Sequence, residues 1–322
     1  MTSKTTGSLE YSQVQQFEIP QEFAGQRLDN FLLTRLKGIP KTHIYRIIRK
    51  GEVRINKKRC KPLQKLQVGD VIRIPPVRLS TAKNNPDLSQ NALDILEKSI
   101  IFEDKDLIIL NKPSGFAVHG GSGVSYGVIE GFRQLRPFEK RMELVHRLDR
   151  DTSGCLILAK KTTVLRALHE MIRNNAMEKY YVALCRGAIT SEKILVDQPL
   201  HKFVTKSGER MVRVDSEGKS SQTLFYPTQL FRQATLMDVK LLTGRTHQIR
   251  VHSQYIKHPI AGDEKYGDEA FNQTMRTLGL KRLFLHARKL KFRHPVTGKI
   301  MEPIAELDDQ LADVILKLEN DA

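Results

Sequence analysis

The sequence is poor in cysteine. Only three of its 322 residues are cysteines, and Cys60, Cys155 and Cys185 lie far apart in the chain. An odd and scattered set provides neither a disulfide framework nor a Cys-x-x-Cys metal site. We therefore expect a protein of the reducing cytoplasm.

Long apolar runs are also missing. None approaches the roughly 18 consecutive apolar residues that a membrane-spanning helix needs. Residues 1–16 are rich in Ser, Thr and Gln and lack the basic-then-apolar layout of an export signal, so they are predicted to form a disordered tail. No membrane partner is expected, and the predicted location is cytoplasmic.

Acidic residues are scarce relative to basic ones. The chain has 36 Asp and Glu against 53 Lys and Arg, which gives a formal net charge of +17. Such a field attracts a polyanion, so nucleic acid is the expected partner. An evenly solvated surface and an anionic membrane are the alternatives, and clustering of the charge distinguishes them. With 40% hydrophobic and 28% charged residues, the composition is that of a soluble globular protein.

The positive charge is concentrated in the first third of the chain. The segment 41–62 contains nine Lys or Arg residues and one acid, Glu52. Ile44, Ile47 and Ile48 recur there at helical spacing, so the basic residues fall on the opposite side of a two-faced helix. A polar turn and short strands follow this helix. The residues expected to contact RNA here are His43, Arg46, Arg49, Lys50, Lys57, Lys58 and Arg59.

The same region resembles a known RNA-binding domain. From Arg27-Leu-Asp-Asn-Phe-Leu to Lys65-Leu-Gln-Val-Gly-Asp the sequence resembles the S4 domain, a small α/β module that presents its basic helix to structured RNA. This domain occurs in unrelated enzymes and in ribosomal proteins, so it indicates the ligand and not the activity. The predicted organisation is a tail at 1–16, the S4 domain at 17–76, a linker at 77–91 and a catalytic domain at 92–322.

The second domain is predicted to be α+β. From Ile100 onward short apolar strands alternate with turns and a few helices, and only one clear helix, from about Val164 to Asn175, follows a strand. Regular βαβ winding is therefore not expected, and a mixed, mainly antiparallel sheet is favoured. The predicted strands are 107–110, 155–159, 181–185, 235–242 and 282–286.

One loop between two apolar strands carries the most reactive candidates. It runs from His146 to Gly154 and reads His-Arg-Leu-Asp-Arg-Asp-Thr-Ser-Gly. Loops presented by rigid strands often hold catalytic groups, and an aspartate between arginines has its ionised form favoured. Asp149 is thus a candidate nucleophile or base, whereas Asp151 fits turn chemistry. Spacing alone gives Asp149 only a modest advantage over Asp151.

This loop is similar to the signature of an enzyme family, the RluA-type pseudouridine synthases, in its His146-Arg-Leu-Asp-x-x-Thr-Ser-Gly154 pattern. The resemblance implies that Asp149 is the catalytic residue. It also implies that Arg147 enters the RNA helix and fills the gap left when the target uridine flips out. An ordinary phosphate contact is the alternative role for Arg147. His146 and Arg245 are expected to contact RNA as well.

A second block, Thr243-Gly-Arg-Thr-His-Gln-Ile-Arg-Val-His252, extends the resemblance. It implies that Arg250 pairs with Asp149, and a guanidinium there would keep the carboxylate ionised and fix its rotamer. The histidines of this block, His247 and His252, lack a third ligand at suitable spacing. No metal is therefore predicted.

Two more blocks resemble the family. In Glu178-Lys-Tyr-Tyr-Val-Ala-Leu-Cys-Arg-Gly187 the resemblance implies that Tyr181 stacks on the flipped base and assists proton removal at its C5. A core tyrosine is the alternative, and Tyr180 would face the other side of the strand. The block 111–123, Asn-Lys-Pro-Ser-Gly-Phe-Ala-Val-His-Gly-Gly-Ser-Gly, lacks the order of a triphosphate-binding loop and is expected to support the pocket.

The resemblance spans about 17–304 and implies the pseudouridine synthase fold for the catalytic domain. The combination of motifs resembles most the members that act on large-subunit (23S) ribosomal RNA, so this RNA is the expected partner of a monomeric enzyme. Isomerisation involves no net redox change and no group donor, so no cofactor is implied. Two other functions stay open: a non-catalytic S4-type RNA-binding factor for ribosome assembly, and a metal-dependent nuclease, which requires clustered carboxylates.

Overall fold

The computed structural model of the protein describes residues 13–36, 39–77, 88–120, 126–205 and 207–320. The chain forms two compact units, Met1–Pro86 and Asp87–Ala322. Within the described ranges, no helix is both long and apolar enough to cross a membrane. The predicted tail lies outside the described residues from 1 to 12, and the predicted linker does so from 78 to 87.

The first unit packs helices against a small antiparallel sheet. Its helices are α1 (Leu28–Arg35) and α2 (Lys41–Arg49), and its strands are β1 (Gln15–Glu18), β2 (Arg54–Ile55), β3 (Lys58–Arg59) and β4 (Val71–Ile74). The strand order is β1-β4-β2-β3. The last two residues of the predicted tail belong to β1, because Gln15 and Gln16 pair with Ile74 and Arg73 of β4.

Helix α2 has the two faces that its sequence predicts. Its isoleucines at 44, 47 and 48 are buried in the core of this unit, and each such burial contributes roughly 1.5–3 kcal/mol. Gly51 follows the helix with a φ of +73°, a conformation that favours glycine, and so ends it. Arg46, Arg49 and Lys50 are exposed, whereas His43 is half-buried.

The turn between β2 and β3 carries the other basic residues of this unit. Asn56 and Lys57 both have positive φ, 50° and 67°. This is the conformation of a two-residue hairpin turn whose twist matches that of the strands it joins. Ile55 pairs directly with Lys58 across it. The tight turn therefore places Lys57, Lys58 and Arg59 in solvent.

The second unit is built on one large sheet. In the described part of the chain its strands are β5 (Ile100–Glu103), β6 (Leu107–Lys112), β7 (Glu143–Leu144), β8 (Ser153–Ala159), β9 (Glu178–Arg186), β10 (Ile194–Asp197), β11 (Leu200–Val204), β12 (Arg210–Val214), β13 (Gln222–Leu230), β14 (Ala234–Leu241), β15 (Leu285–Arg293) and β16 (Ile300–Met301). The helices are α3 (Gln90–Lys98), α4 (Val128–Leu135), α5 (Thr162–Arg173), α6 (Gln248–Tyr255), α7 (Glu269–Thr277) and α8 (Asp309–Asn320).

The main sheet has the order β10-β13-β14-β9-β15-β8-β6-β5, with β7 beside β8 and β16 beside β15. Within it only β8 and β15 pair in parallel, and the other described pairs are antiparallel. The predicted α+β class with a mixed, mainly antiparallel sheet is confirmed. β11 and β12 form a separate hairpin.

Strand β8 shows where the core lies. All seven of its residues are buried. Leu156 and Leu158 enter one apolar cluster, whereas Cys155 and Ile157 enter a second cluster on the other face. Because both faces are covered, the strand is a continuous apolar run, and it holds one end of the His146–Gly154 loop rigidly.

Of the few helices expected in this unit, only one was given bounds. It corresponds to α5, and the described part of the unit contains five more helices that were not located from the sequence. α6 was missed because its residues Gln248–Ser253 are all buried, so no polar face marks it as amphipathic. The predicted strand at 282–286 is also wrong in its bounds, since β15 begins at Leu285.

Candidate active site

Three segments of the second unit meet around Asp149. The loop between β7 and β8 carries Asp149 itself, β9 contributes Tyr181, and the start of α6 contributes His247 and Arg250. These residues line one cavity, together with Arg147. The start of the loop is anchored to β8, because Val145 N–H donates to the carbonyl of Ile157 at 3.0 Å, and a turn closed by Thr152 N–H on the carbonyl of Asp149 at 3.2 Å leads into the strand.

The carboxylate of Asp149 is open to the cavity and faces two nitrogen groups. Its side chain is 28% exposed. Oδ2 lies 3.6 Å from Nη1 of Arg250 and 3.8 Å from Nε2 of His247. The neighbouring Asp151 instead forms an exposed ion pair with Arg150, at 3.1 Å. The structure thus separates two aspartates that the spacing could not, because only Asp149 reaches the cavity.

Arg250 is held mainly by another carboxylate. Its Nε and Nη2 each donate to Asp263 at 2.7 Å, in a buried bidentate pair. Burial alone would raise the pKa of Asp263, but the hydrogen bonds and charge of Arg250 lower it overall. The expected pair with Asp149 is present through Nη1 at 3.6 Å, and the two hydrogen bonds of the fork go to Asp263.

Tyr181 and Tyr180 lie on opposite faces of β9. Tyr181 is 8% exposed and lines the cavity. Burial, and then the charge of Asp149, raises the pKa of its phenol, so the ring stays uncharged. Tyr180 donates to Glu178 at 2.6 Å and has Lys240 and Lys289 over its ring. Tyr180 therefore does not belong to the cavity.

His247 directly precedes α6, and its ring faces Asp149. Its backbone is left-handed, with a φ of 53°, and this bend points the ring at the cavity. Nδ1 lies 2.8 Å from the hydroxyl of Tyr266. Burial lowers the pKa of the ring, and the charge of Asp149 opposes this only in part. His252 contacts Thr223 and Ser221 instead, so the two histidines do not share a ligand position.

One group of three residues in the described chain has the composition of a metal site. Ligand atoms of Asp104, Asp106 and His294 lie within 4.8 Å of one another. However, Nδ1 of His294 accepts from the backbone N–H groups of Val296 and Thr297. The proton of a neutral ring is then on Nε2, 3.2 Å from Asp104, so no lone pair faces the group. None of the three residues lines the cavity of Asp149.

Comparison with known proteins identifies the chain. A family model described as RNA pseudouridylate synthase matches residues 106–255, and one described as S4 domain matches residues 26–72. A Pasteurella multocida protein named ribosomal large subunit pseudouridine synthase C is 53% identical over 94% of this chain and 93% of its own length. The protein of that name from Escherichia coli is 54% identical over 94% and 96%. The chain belongs to the RNA pseudouridylate synthase family.

Solved structures agree with this family. One solved structure is that of the human protein named RNA pseudouridylate synthase domain containing 4. It has a TM-score of 0.58 and 25% sequence identity, and the match covers 71% of this synthase and 96% of that chain. The human protein named RNA pseudouridylate synthase domain containing 1 has a TM-score of 0.54 and 22% sequence identity. The match covers 69% of this chain and 94% of that one, which shows the shared fold. The expected fold and the expected enzyme class, an RNA pseudouridine synthase with an S4 domain, are confirmed.

The residues predicted to contact RNA near the synthase cavity differ in their surroundings. Arg147 is exposed, and its side chain forms no hydrogen bond or ion pair with the described residues. Arg245 is also exposed, and its Nε donates to the carbonyl of Ser220 at 3.1 Å. His146 is different: its Nε2 accepts from the N–H of Ile157, and burial lowers its pKa to about 4. We therefore correct that expectation, because His146 anchors the loop to β8 and offers no charge to RNA.

The described part of the block 111–123 supports the loop that carries Asp149. Lys112 is fully buried, and its Nζ donates to the carbonyls of Pro113, Phe116 and Arg150 at 2.8–3.0 Å. Burial lowers the pKa of Lys112 to about 7, with the charge of Asp151 opposing this. Residues 121–123 of the block lie outside the described residues.

Two residues of the site were missed from the sequence. Asp263 fixes Arg250, and Tyr266 contacts His247. Both lie in the segment Gly262-Asp-Glu-Lys-Tyr-Gly267, which follows the family pattern but had no assigned role. The sequence shows only an aspartate and an aromatic residue in a short glycine-bounded segment. Their hydrogen-bond partners, which lie elsewhere in the chain, reveal what the two side chains do.

Proposed function

We propose that this chain isomerises uridines of large-subunit (23S) ribosomal RNA to pseudouridine, with Asp149 as the reacting carboxylate and without a cofactor. The observation that carries the proposal is the position of Asp149, open to a cavity between Arg250, His247 and Tyr181. The names of the relatives support the choice of RNA. We further propose that the enzyme acts in the cytoplasm as a monomer, which light scattering of the purified chain would test.

The chemistry follows from the groups around the cavity. The bond from C1′ of the sugar to N1 breaks, the uracil turns, C1′ bonds to C5, and the proton leaves C5 while N1 gains one. Asp149 either attacks covalently or removes a sugar proton to give a glycal, and both routes begin with an ionised carboxylate. The guanidinium of Arg250, 3.6 Å away, stabilises that charge.

The target base must leave its stack to reach this cavity. Tyr181 offers an uncharged aromatic face for the extruded uracil, and its hydroxyl assists removal of the C5 proton. Arg147, exposed at the rim, enters the RNA and fills the gap left by the base. A contact of Arg147 with a phosphate is the simpler alternative.

A basic cleft next to this cavity provides a path for the RNA strand. The cleft has a volume of about 770 Å³, and the hairpin β11–β12 forms one of its walls. Arg147, Lys202, Arg210 and Lys265 line it, and none of its described lining residues is acidic. Such a surface attracts a phosphate backbone. Arg147 and His247 line both the cleft and the cavity, so the strand would pass beside Asp149.

The S4 unit supplies additional affinity for RNA in this proposal. Its exposed cations on α2 and on the β2–β3 turn form a surface suited to phosphates. Because such contacts release counterions, binding should weaken steeply with salt. In this proposal the S4 unit provides much of the affinity, and the second unit guides the target strand and performs the reaction.

The decisive experiment compares two neighbouring aspartates on ribosomal RNA. The Asp149→Ala variant is expected to form no pseudouridine by chemical mapping while keeping its RNA affinity, because phosphate contacts provide most of the binding. The Asp151→Ala variant, which loses only an exposed ion pair, is the matched control and should remain active. Turnover by Asp149→Ala would refute the assigned role. A native chain that binds the RNA but modifies nothing would favour the assembly factor.

The substrate and the remaining rival need separate tests. Mapping of pseudouridines in cells with and without the gene should show sites lost from 23S RNA, and losses confined to other RNAs would contradict the proposed substrate. A metal-dependent nuclease requires divalent ions. Isomerisation that continues in excess chelator, with intact RNA, would exclude that function.

A further inference from the structure

Tyr266 contacts both groups that face Asp149. It is buried, with 3% of its surface exposed. Its ring packs edge-to-face against the ring of His247, with centroids 5.5 Å apart. The guanidinium carbon of Arg250 lies 5.1 Å from the same ring centroid. One side chain outside the cavity therefore limits the movement of both nitrogen groups beside the carboxylate.

The hydroxyl of Tyr266 selects the tautomer of His247. Among the described residues this hydroxyl has two partners: it accepts from the backbone N–H of Val212 at 3.0 Å, and Nδ1 of His247 lies 2.8 Å away. The hydroxyl has one hydrogen, and Nδ1 is the acceptor within reach. A ring that accepts at Nδ1 carries its proton on Nε2, which faces Asp149 Oδ2 at 3.8 Å. The opposite tautomer would direct a lone pair at the carboxylate.

The same hydroxyl also joins the site to the RNA cleft. Val212 belongs to β12, and its hairpin with β11 carries Lys202 and Arg210 along the cleft wall. Tyr266 packs with Val212, Leu200 and Val251 in a small apolar cluster between this hairpin and α6. The apolar cluster holds the hairpin, and the N–H of Val212 in turn holds the hydroxyl that contacts His247.

We propose that Tyr266, itself held by the backbone of β12, is a positioning residue that keeps the Nε2–H of His247 directed at Asp149. The expected effects on the reaction rate rest on the proposed function, whereas the expected tautomer of His247 does not. The proposal predicts that Tyr266 affects the rate of isomerisation and not the affinity for RNA, because Tyr266 is buried and contributes no charge to the cleft.

Removal of one hydroxyl tests the kinetic part. The Tyr266→Phe variant is expected to lower the single-turnover rate about tenfold, the effect of losing one orienting hydrogen bond, while the Kd for RNA changes less than twofold. Tyr180→Phe is the matched control, since it also loses a hydroxyl hydrogen bond of this unit but lies outside the cavity. An unchanged rate in Tyr266→Phe, or a rate loss explained entirely by weaker RNA binding, would overturn the proposal.

A double-mutant cycle separates positioning from general damage. If Tyr266 acts through His247, then adding Tyr266→Phe to His247→Ala should change the rate less than twofold. A further tenfold loss in that background would show that the hydroxyl acts independently of His247.

Variants of His247 test the proposal even if Tyr266→Phe does not fold. The amide of a glutamine reaches about as far as Nε2, and that of an asparagine reaches about as far as Nδ1. His247→Gln keeps a donor toward Asp149 and should retain the rate within about threefold, whereas His247→Asn should lose about tenfold. Equal rates for the two variants would contradict the assigned donor.

The tautomer can be measured without any activity. Ring ¹⁵N chemical shifts of the full-length protein report which nitrogen carries the proton, and the signal missing from His247→Gln identifies His247 among the ten histidines. The expected pattern is a neutral ring protonated at Nε2, and it should be lost in Tyr266→Phe. A ring protonated at Nδ1 would refute the inference, whether or not the chain modifies RNA.

Discussion

Arg250 donates to Asp263 from Nε and Nη2 and presents only Nη1 to Asp149. The two bonds to Asp263 are 2.7 Å long, whereas Nη1 lies 3.6 Å from Asp149. A carboxylate held in a bidentate pair has its oxygens engaged by donors. Because Asp263 takes that role, Asp149 lies beside a positive charge and its lone pairs stay free of the fork. One carboxylate fixes the cation, and the other is the one that we propose to react.

Asp263→Asn tests this division of roles. The amide has the same shape but no charge, so the buried Arg250 would lose its bidentate anion and keep only Asp149 at 3.6 Å. We expect a loss of unfolding free energy of about 3 kcal/mol, measured by urea unfolding, together with a slower single-turnover rate. Glu269→Gln, which removes the exposed partner of Arg276, is the control and should leave the denaturation midpoint unchanged. A variant as stable and active as the native chain would refute the role of Asp263.

Tyr181→Phe separates the two roles proposed for this tyrosine. The aromatic face is retained, so the Kd for RNA should not change. The rate should fall about 100-fold, the lower end of what a positioned proton-transfer group contributes. Single-turnover kinetics with saturating enzyme measures this directly, and Tyr180→Phe on the other face of β9 is the comparison. A full rate in Tyr181→Phe would leave stacking as its sole role.

The pH dependence of stability should include a contribution from Glu103. Hydrogen bonds from Arg136 and Lys160 lower the pKa of this carboxyl from 4.5 to about 2. A depressed pKa stabilises the fold above the unfolded value, so the contribution is present above pH 4.5 and is lost as the pH falls toward 2. Glu103→Gln should therefore flatten the acid limb of a plot of urea midpoint against pH. Glu97→Gln, which removes a more exposed partner of Arg136, is the control, and an equal effect of both changes would contradict the prediction.

The basic face of α2 should determine how RNA binding depends on salt. Arg46→Ala and Arg49→Ala remove exposed charges without touching the buried isoleucines. Each is expected to weaken RNA binding and to reduce the slope of log K against log salt by about 1, with no change in the single-turnover rate. Arg293→Ala removes an exposed arginine of the second unit and is the control. Slopes equal to that of the native chain would show that this face does not bind phosphates.

Local patterns were sufficient for the elements whose burial follows a simple period. The three isoleucines of α2 repeat at helical spacing, and the apolar run of β8 is continuous because both of its faces are covered. These features depend on residues that are neighbours in sequence. α6 could not be found in this way, because its buried face includes Gln248 and His252, whose partners Thr223 and Ser221 lie on a distant segment.

Motifs and short-range periodicity were enough to indicate the family, the mixed α+β class, the loop that carries Asp149 and the basic face of the S4 domain. Contacts in the folded chain were needed to show that Asp151 lies outside the cavity, that Arg250 binds Asp263, that His146 turns into the fold and that Tyr266 joins Val212 to His247. The difference comes from distance along the chain. A hydrogen-bond partner or a buried charge pair between distant segments has no period of its own, and it exists only after the sheet has brought those segments together.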